Sequence, residues 1–368
     1  MPNIIAILVC VVVVTSFVQC QFLIKADVTE ENDSPIIGVL TQEISYHLNS
    51  KWPGEFKSYI AASYVKFVEG GGARVVPIWI DRPKSYYEGI MSKINGVLFP
   101  GGATWFNQTN GYSEAGRHIY DIAMDMNDRG EYMPIFGTCL GFELLTYLSA
   151  NSSELRENCY SDRQALHLEF EEDFRNSKLF GSCPDDIVQI LSSEPVTANF
   201  HQFCVTKKNL TLFGIDEEWK VLSENNDFNG QRFISSYEHV RYPFYGIQFH
   251  PEKNIYEWII NRNISHTPNA IKAAQYFAYF FVDEARKNFN SFDSVDEENS
   301  MLIYNYQTNF TALVKSAFEQ CYLFDSETDY IPIGKETLNE SSSACFGITI
   351  NYGLTATIVA IYTLMTVY

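Results

Sequence analysis

The segment Met133-Pro-Ile-Phe-Gly-Thr-Cys-Leu-Gly-Phe-Glu143 constrains this chain more than any other eleven residues. A short apolar run ends in Gly137-x-Cys139-x-Gly141, and a helix-compatible stretch, Phe142 to Leu148, follows at once. That is the layout of a nucleophile elbow, with cysteine where a serine hydrolase carries serine. Small residues on both sides let the backbone turn sharply from strand to helix. The turn exposes the side chain, and the helix N-terminus helps to hold a thiolate. Alone, Gly-x-Cys-x-Gly also surrounds buried structural cysteines, so its meaning depends on what else the chain supplies.

A base is supplied by Tyr245-Gly-Ile-Gln-Phe-His-Pro-Glu-Lys253, where an apolar strand-like run delivers His250 and Pro251 stops the strand. Glu252 lies two residues on. A carboxylate bonded to one ring nitrogen leaves the other free to take a thiol proton. Ile94-Asn-Gly-Val-Leu-Phe-Pro-Gly-Gly102 reads as a buried strand that breaks into glycines. The N–H groups of Gly101 and Gly102, with the amide of Leu140 just after Cys139, form a candidate oxyanion hole. A lone histidine is most often a half-buried structural residue, and Pro-Gly-Gly alone is a turn. The three motifs together, in the order glycine loop, elbow, His-Pro-Glu, make a nucleophile, a base, an orienting carboxylate and an anion site.

Apolar runs alternate with helical patterns through the first half. Ile36–Leu40, Ala73–Ile80 and Gly96–Phe99 read as strands; Phe56–Glu69, closed by Gly70-Gly-Gly72, and Glu114–Asn127 read as helices. Short strand-like runs fill Leu191 to Phe249, and helix returns at Asn269–Lys287. The expected class is α/β, a mostly parallel sheet covered by helices on both faces, with its site at the C-terminal ends of strands. From Phe292 the composition turns polar and acidic through Asp293-Ser-Val-Asp-Glu-Glu-Asn-Ser300, which reads as a linker or stalk. The expected domain runs 34–292 and the stalk 293–345.

The motifs resemble those of the class I glutamine amidotransferase-like hydrolases, which carry a Cys-His-Glu triad. Within that superfamily the chain is similar to the gamma-glutamyl (folylpolyglutamate) hydrolases, peptidase family C26. The likeness runs from about Pro35 to Phe292 and includes Pro35-Ile-Ile-Gly-Val-Leu, Tyr59-Ile-Ala-Ala-Ser-Tyr-Val-Lys, Gly72-Ala-Arg-Val-Val-Pro, Thr197-Ala-Asn-Phe-His201 and Phe281-Val-Asp-Glu-Ala-Arg-Lys-Asn. The resemblance implies a flavodoxin-like fold, Cys139 as nucleophile, His250 as general acid/base, Glu252 as third member, and Glu143 and His201 near the substrate. It implies a folate polyglutamate substrate, cleaved to glutamate or short polyglutamates, and no cofactor or metal. The chemistry is consistent: glutamine is the gamma-amide of glutamate, so a glutaminase and a gamma-glutamyl peptidase attack the same carbonyl and differ in the leaving group. The alternatives are a glutaminase-type hydrolase of another gamma-glutamyl substrate, and a catalytically silent surface binding protein.

The ends of the chain point to export. Ile4 to Val14 is an unbroken apolar run of signal-peptide length within 1–20, although its flank carries no Lys or Arg. Asn-x-Ser/Thr sequons occur at Asn32, Asn107, Asn151, Asn209, Asn263, Asn309 and Asn339. Of the 8 cysteines, Cys10 and Cys20 fall in the signal and Cys139 is expected free, which leaves Cys159, Cys183, Cys204, Cys321 and Cys345. Small residues at Ser341-Ser-Ser-Ala344 precede the apolar tail 346–368, the pattern of a GPI-anchor signal, with a transmembrane helix as rival. The expected location is the secretory pathway: lysosome, vacuole, cell exterior or, through the tail, the membrane surface. A net charge of −19 without a basic patch argues against nucleic acid and ill suits a polyglutamate at neutral pH. An acidic compartment eases that repulsion. Arg74, Arg241 and Lys253 are candidate local counter-charges, and a homodimer is a candidate assembly.

Overall fold

The computed structural model describes residues 31–325. At its centre lies an eight-stranded sheet. One side runs, strand beside strand, through β4 (Arg74–Ile78), β1 (Ile36–Leu40), β5 (Gly96–Phe99), β6 (Ile135–Thr138) and β12 (Phe244–Ile247), all parallel. The sheet continues antiparallel through β11 (Arg232–His239), β10 (Trp219–Asn226) and β8 (Glu169–Phe170). All five residues of β1, Ile-Ile-Gly-Val-Leu, are buried, as a strand covered on both faces requires. Helices pack in two groups. One holds α1 (Ala62–Gly70), α5 (Pro251–Tyr256) and α6 (Pro268–Ala285); the other holds α2 (Lys84–Met91), α3 (Tyr112–Asp128) and α4 (Leu140–Ser149). In α3 the stripe Ala115, Ile119, Ala123 and Met126 is buried while Asp125 and Asp128 are not, so 3.6-residue periodicity sets which face meets the core.

Two sequence expectations are corrected. Phe56–Glu69 is not one helix: Phe56–Ala61 is strand β3, and the helix begins only at Ala62. β3 belongs to a second sheet with β2 (Gln42–Glu43), β14 (Gln320–Asp325) and β13 (Thr308–Phe310), in the order β13-β14-β3-β2. Tyr59 pairs with Leu323 on one side and Gln42 on the other. Pairing over such separations overrides the local helical pattern.

Nor is the segment after 292 a stalk through residue 325. Its acidic run forms α7 (Val295–Met301), capped by Ser294, whose hydroxyl accepts the Glu297 N–H at 3.1 Å. Three carboxylates in the first turn suit the helix N-terminus. Arg74 pairs with Glu298, and Lys93 reaches Asp293 (3.0 Å) and Glu297, which hold the helix on the domain. Cys321 and Phe324 are fully buried. What read as solvated charge is a helix fixed by lysine and arginine from the sheet region. The expected signal, the remainder of the stalk and the apolar tail lie outside the described residues.

A third element, the ribbon of β7 (Glu157–Leu166) and β9 (Thr197–Cys204), is closed by a Cys159–Cys204 disulfide.

Candidate active site

Three parallel strands end at one place. β6 ends at Thr138 and α4 begins at Leu140, so Cys139 makes the whole turn, with φ 51° and ψ −107°. That conformation is costly for a residue with a side chain and is characteristic of functional positions. It is held by the Cys139 N–H, which donates to Ile247 O on β12 at 2.8 Å, and by Cys139 O, which accepts from the Glu143 N–H at 2.9 Å. A β-carbon at Gly141 would come within 1.9 Å of the Phe99 carbonyl oxygen at the end of β5. Only glycine lets the helix start so close to the neighbouring strand.

From β12 the chain runs through Gln248 and Phe249 to His250, whose N–H donates to Ala198 O at 2.9 Å. Pro251 opens α5, and Glu252 sits in its first turn, fully buried. Glu252 Oε1 lies 2.7 Å from His250 Nδ1. The hydroxyl of Tyr64, on α1, lies 3.1 Å from the same nitrogen and accepts the Gly101 N–H at 2.9 Å. A proton on Nδ1 shared with Glu252 leaves Nε2 with a free lone pair. Gly101 gauges how close the parts are: a β-carbon there would lie 2.8 Å from His250 Cε1 and 3.1 Å from Cys139 Cβ. Ring and thiol flank one point, and glycine keeps it open.

Burial dominates the electrostatics. It pushes the Cys139 thiol well above its ordinary range; Glu143 and Glu252 add to this, while Lys253 and the Leu140 amide pull the other way. Desolvation thus opposes the help that the helix start gives a thiolate. Burial also lowers His250, with Lys253 in the same direction and Glu252 opposing both. Both shifts favour the neutral forms of thiol and imidazole.

The expected oxyanion hole also changes. The Gly101 amide is committed to Tyr64, so it is not a bare donor. Leu140 and Gly102 remain as candidate donors; the Leu140 amide already faces the Cys139 sulfur. The glycine loop is splinted by Gln42, whose Nε2 donates to Pro100 O at 3.0 Å and Gly101 O at 3.3 Å. A β-carbon on Gly102 would collide with that side chain, 1.7 Å from its Oε1.

Cys139 lies between two cavities. One, of about 270 Å³, is lined by Leu140, Glu143, Arg156, His201, Phe203 and Trp105 among others. Arg156 is buried there between the rings of Phe106 and Phe203, 4.0 and 5.0 Å from their centroids. It donates to Glu143 Oε2 at 2.8 Å and to Glu154 at 2.6 and 2.7 Å, and Gln248 donates to Glu143 Oε1 at 3.1 Å. Burial raises Glu143, with Arg156 opposing. His201 is held neutral by burial, with a pKa lowered to about 3, its Nδ1 lying 3.0 Å from Phe203 O. The other cavity, of about 230 Å³, is lined by His250, Lys253, Glu257, Arg262 and Phe318.

The family model described as Peptidase C26 matches residues 35–252. Gamma-glutamyl hydrolase of Bos taurus is 43% identical over 297 residues, covering 79% of this chain and 90% of that protein. The Homo sapiens gamma-glutamyl hydrolase is 41% identical over 292 residues, covering 79% and 90%. Gamma-glutamyl hydrolase B of Dictyostelium discoideum is 37% identical over 301 residues, covering 81% and 85%. This chain belongs to the gamma-glutamyl hydrolase family. It is a cysteine-type hydrolase.

Membership bears on a family-sized site, and the structure brings Cys139, Leu140, Gly102, Glu143, His201, His250 and Glu252 around that one site. Of the three candidate counter-charges, Lys253 lines a cavity. Arg74 instead pairs with Glu298, and Arg241 with Asp128 at 2.7 Å. Tyr64 and Arg156 went unremarked in the sequence. Neither has a local signature: Tyr64 touches a histidine 186 positions away, and Arg156 reads as an ordinary charge near a turn.

Among the described residues, Cys183 and Cys321, like Cys139, are free and buried. The Cys159, His201 and Cys204 ligand atoms lie within 4.8 Å of one another, but the two sulfurs are bonded together and offer no thiolates. Among the sequons, Asn107, Asn151 and Asn263 are exposed and Asn32 and Asn309 half-buried; Asn339 lies outside the described residues. Asn209 is 8% exposed, and its Oδ1 accepts the Thr206 N–H at 2.8 Å in a helix cap.

Proposed function

We propose that this protein is an exported gamma-glutamyl hydrolase that cleaves folylpoly-gamma-glutamates through a thioester on Cys139, releasing glutamate or short polyglutamates. The observation that carries the reading is the convergence of the strained Cys139 turn with the buried His250–Glu252 pair, at 2.7 Å, on the two sides of Gly101.

His250 Nε2 takes the thiol proton as the sulfur attacks the gamma-carbonyl carbon. Burial disfavours a separated thiolate and imidazolium, so proton transfer and attack are coupled. Oxygen charge develops against the amides of Leu140 and Gly102. Glu252 stabilises the imidazolium, which then gives its proton to the departing amine as the carbon–nitrogen bond breaks. Water, deprotonated by the same imidazole, splits the thioester and restores the thiol.

Burial lowers His250 from the ordinary imidazole value of 6.5, which favours the free base. The base thus survives in mildly acidic surroundings, where carboxylates on enzyme and substrate repel less. Export is supported by the apolar run Ile4–Val14 and by the exposed sequons. The tail 346–368, after Ser341–Ala344, is proposed as an anchor signal. Among the described residues no helix is long and apolar enough to cross a membrane.

The test is incubation with a pteroyl-polyglutamate and mass analysis of the products. Loss of glutamate units supports the reading. Glutamine hydrolysis without cleavage of the polyglutamate would favour the glutaminase alternative. An intact mature peptide ending in Tyr368 would rule out the anchor.

A further inference from the structure

The cavity on the histidine side of Cys139 contains a buried ammonium with no hydrogen-bond acceptor among the described residues. Lys253 is 4% exposed, yet its ammonium makes no hydrogen bond or ion pair among the described residues. Its near neighbours are aromatic faces: Nζ lies 4.3 Å from the Phe318 ring centroid and 5.4 Å from that of Phe200. Glu257, one helical turn on, feels its charge without hydrogen-bonding to it: Glu257 Oε2 accepts the Glu319 N–H at 2.7 Å, and its buried Oε1 has no hydrogen-bond partner among the described residues. Removing an ammonium from water is costly unless an anion compensates it. Ring faces supply part of that compensation and leave the N–H donors open to the cavity. Half-buried Arg262 lines the same space.

The placement of His250 decides which part of a substrate enters. A general acid needs to reach the departing nitrogen. His250 lines this cavity and does not line the one that holds Leu140 and Glu143. The acyl group therefore occupies the Glu143 side, and the departing amine the Lys253 side.

We propose that Lys253 binds a carboxylate of the departing glutamate, and so makes an acidic amino acid a better leaving group here than ammonia or a neutral amine. The inference rests on the gamma-glutamyl reading above and adds a polarity to it. It also gives part of the segment after residue 292 a role, since Phe318 forms one wall of the lysine's enclosure.

The test uses the full-length protein and two substrates with one acyl group: pteroyl-diglutamate, and its analogue with both carboxylates of the departing residue converted to amides. Wild type should prefer the charged leaving group by about tenfold to a hundredfold in kcat/KM, the range of one charge-assisted hydrogen bond. K253M should bring that ratio close to one, and K253R should keep most of it. Equal turnover of both substrates by wild type overturns the proposal without any variant, so a poorly folding K253M does not protect it. A K253M protein that loses both activities equally also overturns it, because the lysine would then act on the thiol. If wild type cleaves neither substrate, the gamma-glutamyl reading itself falls and this inference with it.

Discussion

The two cavities beside Cys139 differ in how their charges are met. On one side Arg156 and Gln248 donate to Glu143, and Arg156 to Glu154, with Arg156 clamped between two rings. On the other, the Lys253 ammonium has no hydrogen-bond acceptor among the described residues. Paired charges fix shape and specify position, whereas a buried charge without an acceptor is set to receive a partner. The difference teaches that one wall of the site is built to orient and the other to bind.

The comparison can be broken at its centre first. Cys139→Ala should abolish hydrolysis while circular dichroism and the unfolding midpoint stay close to wild type. More than a few per cent of residual turnover would remove Cys139 from the nucleophile's role. His250→Asn should cost on the order of 10²–10⁴-fold in kcat, and Glu252→Gln less, because it positions the ring. A larger loss at Glu252 would reverse those assignments.

The two walls should respond differently to loss of their cations. Arg156→Met leaves buried Glu143 without its counter-charge, and urea titration should show a loss of about 3–5 kcal/mol. Lys253→Met removes a cation with no protein acceptor, and the same titration should show stability unchanged or slightly higher. Similar losses at both positions would mean that Lys253 is structurally matched after all.

The smallest expected effect is on the acid side of stability. His239 accepts the N–H groups of Arg241 and Tyr242 at 3.0 and 3.1 Å and is held neutral by burial, its pKa lowered from 6.5 to about 4. His201 is lowered to about 3. The unfolded chain binds protons at these positions first, so the stability they contribute is complete above pH 6.5 and is lost as pH falls toward 4 and 3. His239→Asn keeps an acceptor and removes the titration. Its midpoint should fall less steeply than that of wild type between pH 6.5 and 4, and parallel slopes would contradict the assignment.

The legible parts of this molecule are those whose chemistry is contiguous. Gly137-x-Cys139-x-Gly141 encodes its own turn, because the backbone has to bend there and Gly141 has to pack on Phe99. His250 and Glu252 are two residues apart and meet within one helix start. Tyr64 was hidden because its role is made by folding alone, and its bond to Gly101 removed an amide that the motif seemed to offer. The β3 segment reads as helix in the sequence because its partners, at positions 42 and 323, are remote. The acidic run near 295 resembles a solvated linker until Arg74 and Lys93 are known to face it. Composition reported the charge but not its partner.

The central claim is that a gamma-glutamyl group is transferred to Cys139 and then to water. Rapid acid quenching during turnover of a pteroyl-polyglutamate, followed by peptide mass analysis, tests it most directly. The account predicts an acyl adduct on the peptide that contains Cys139, absent from Cys139→Ala and lost when hydroxylamine is added. Steady turnover with an acyl group on another residue, or undiminished turnover by Cys139→Ala, would contradict it.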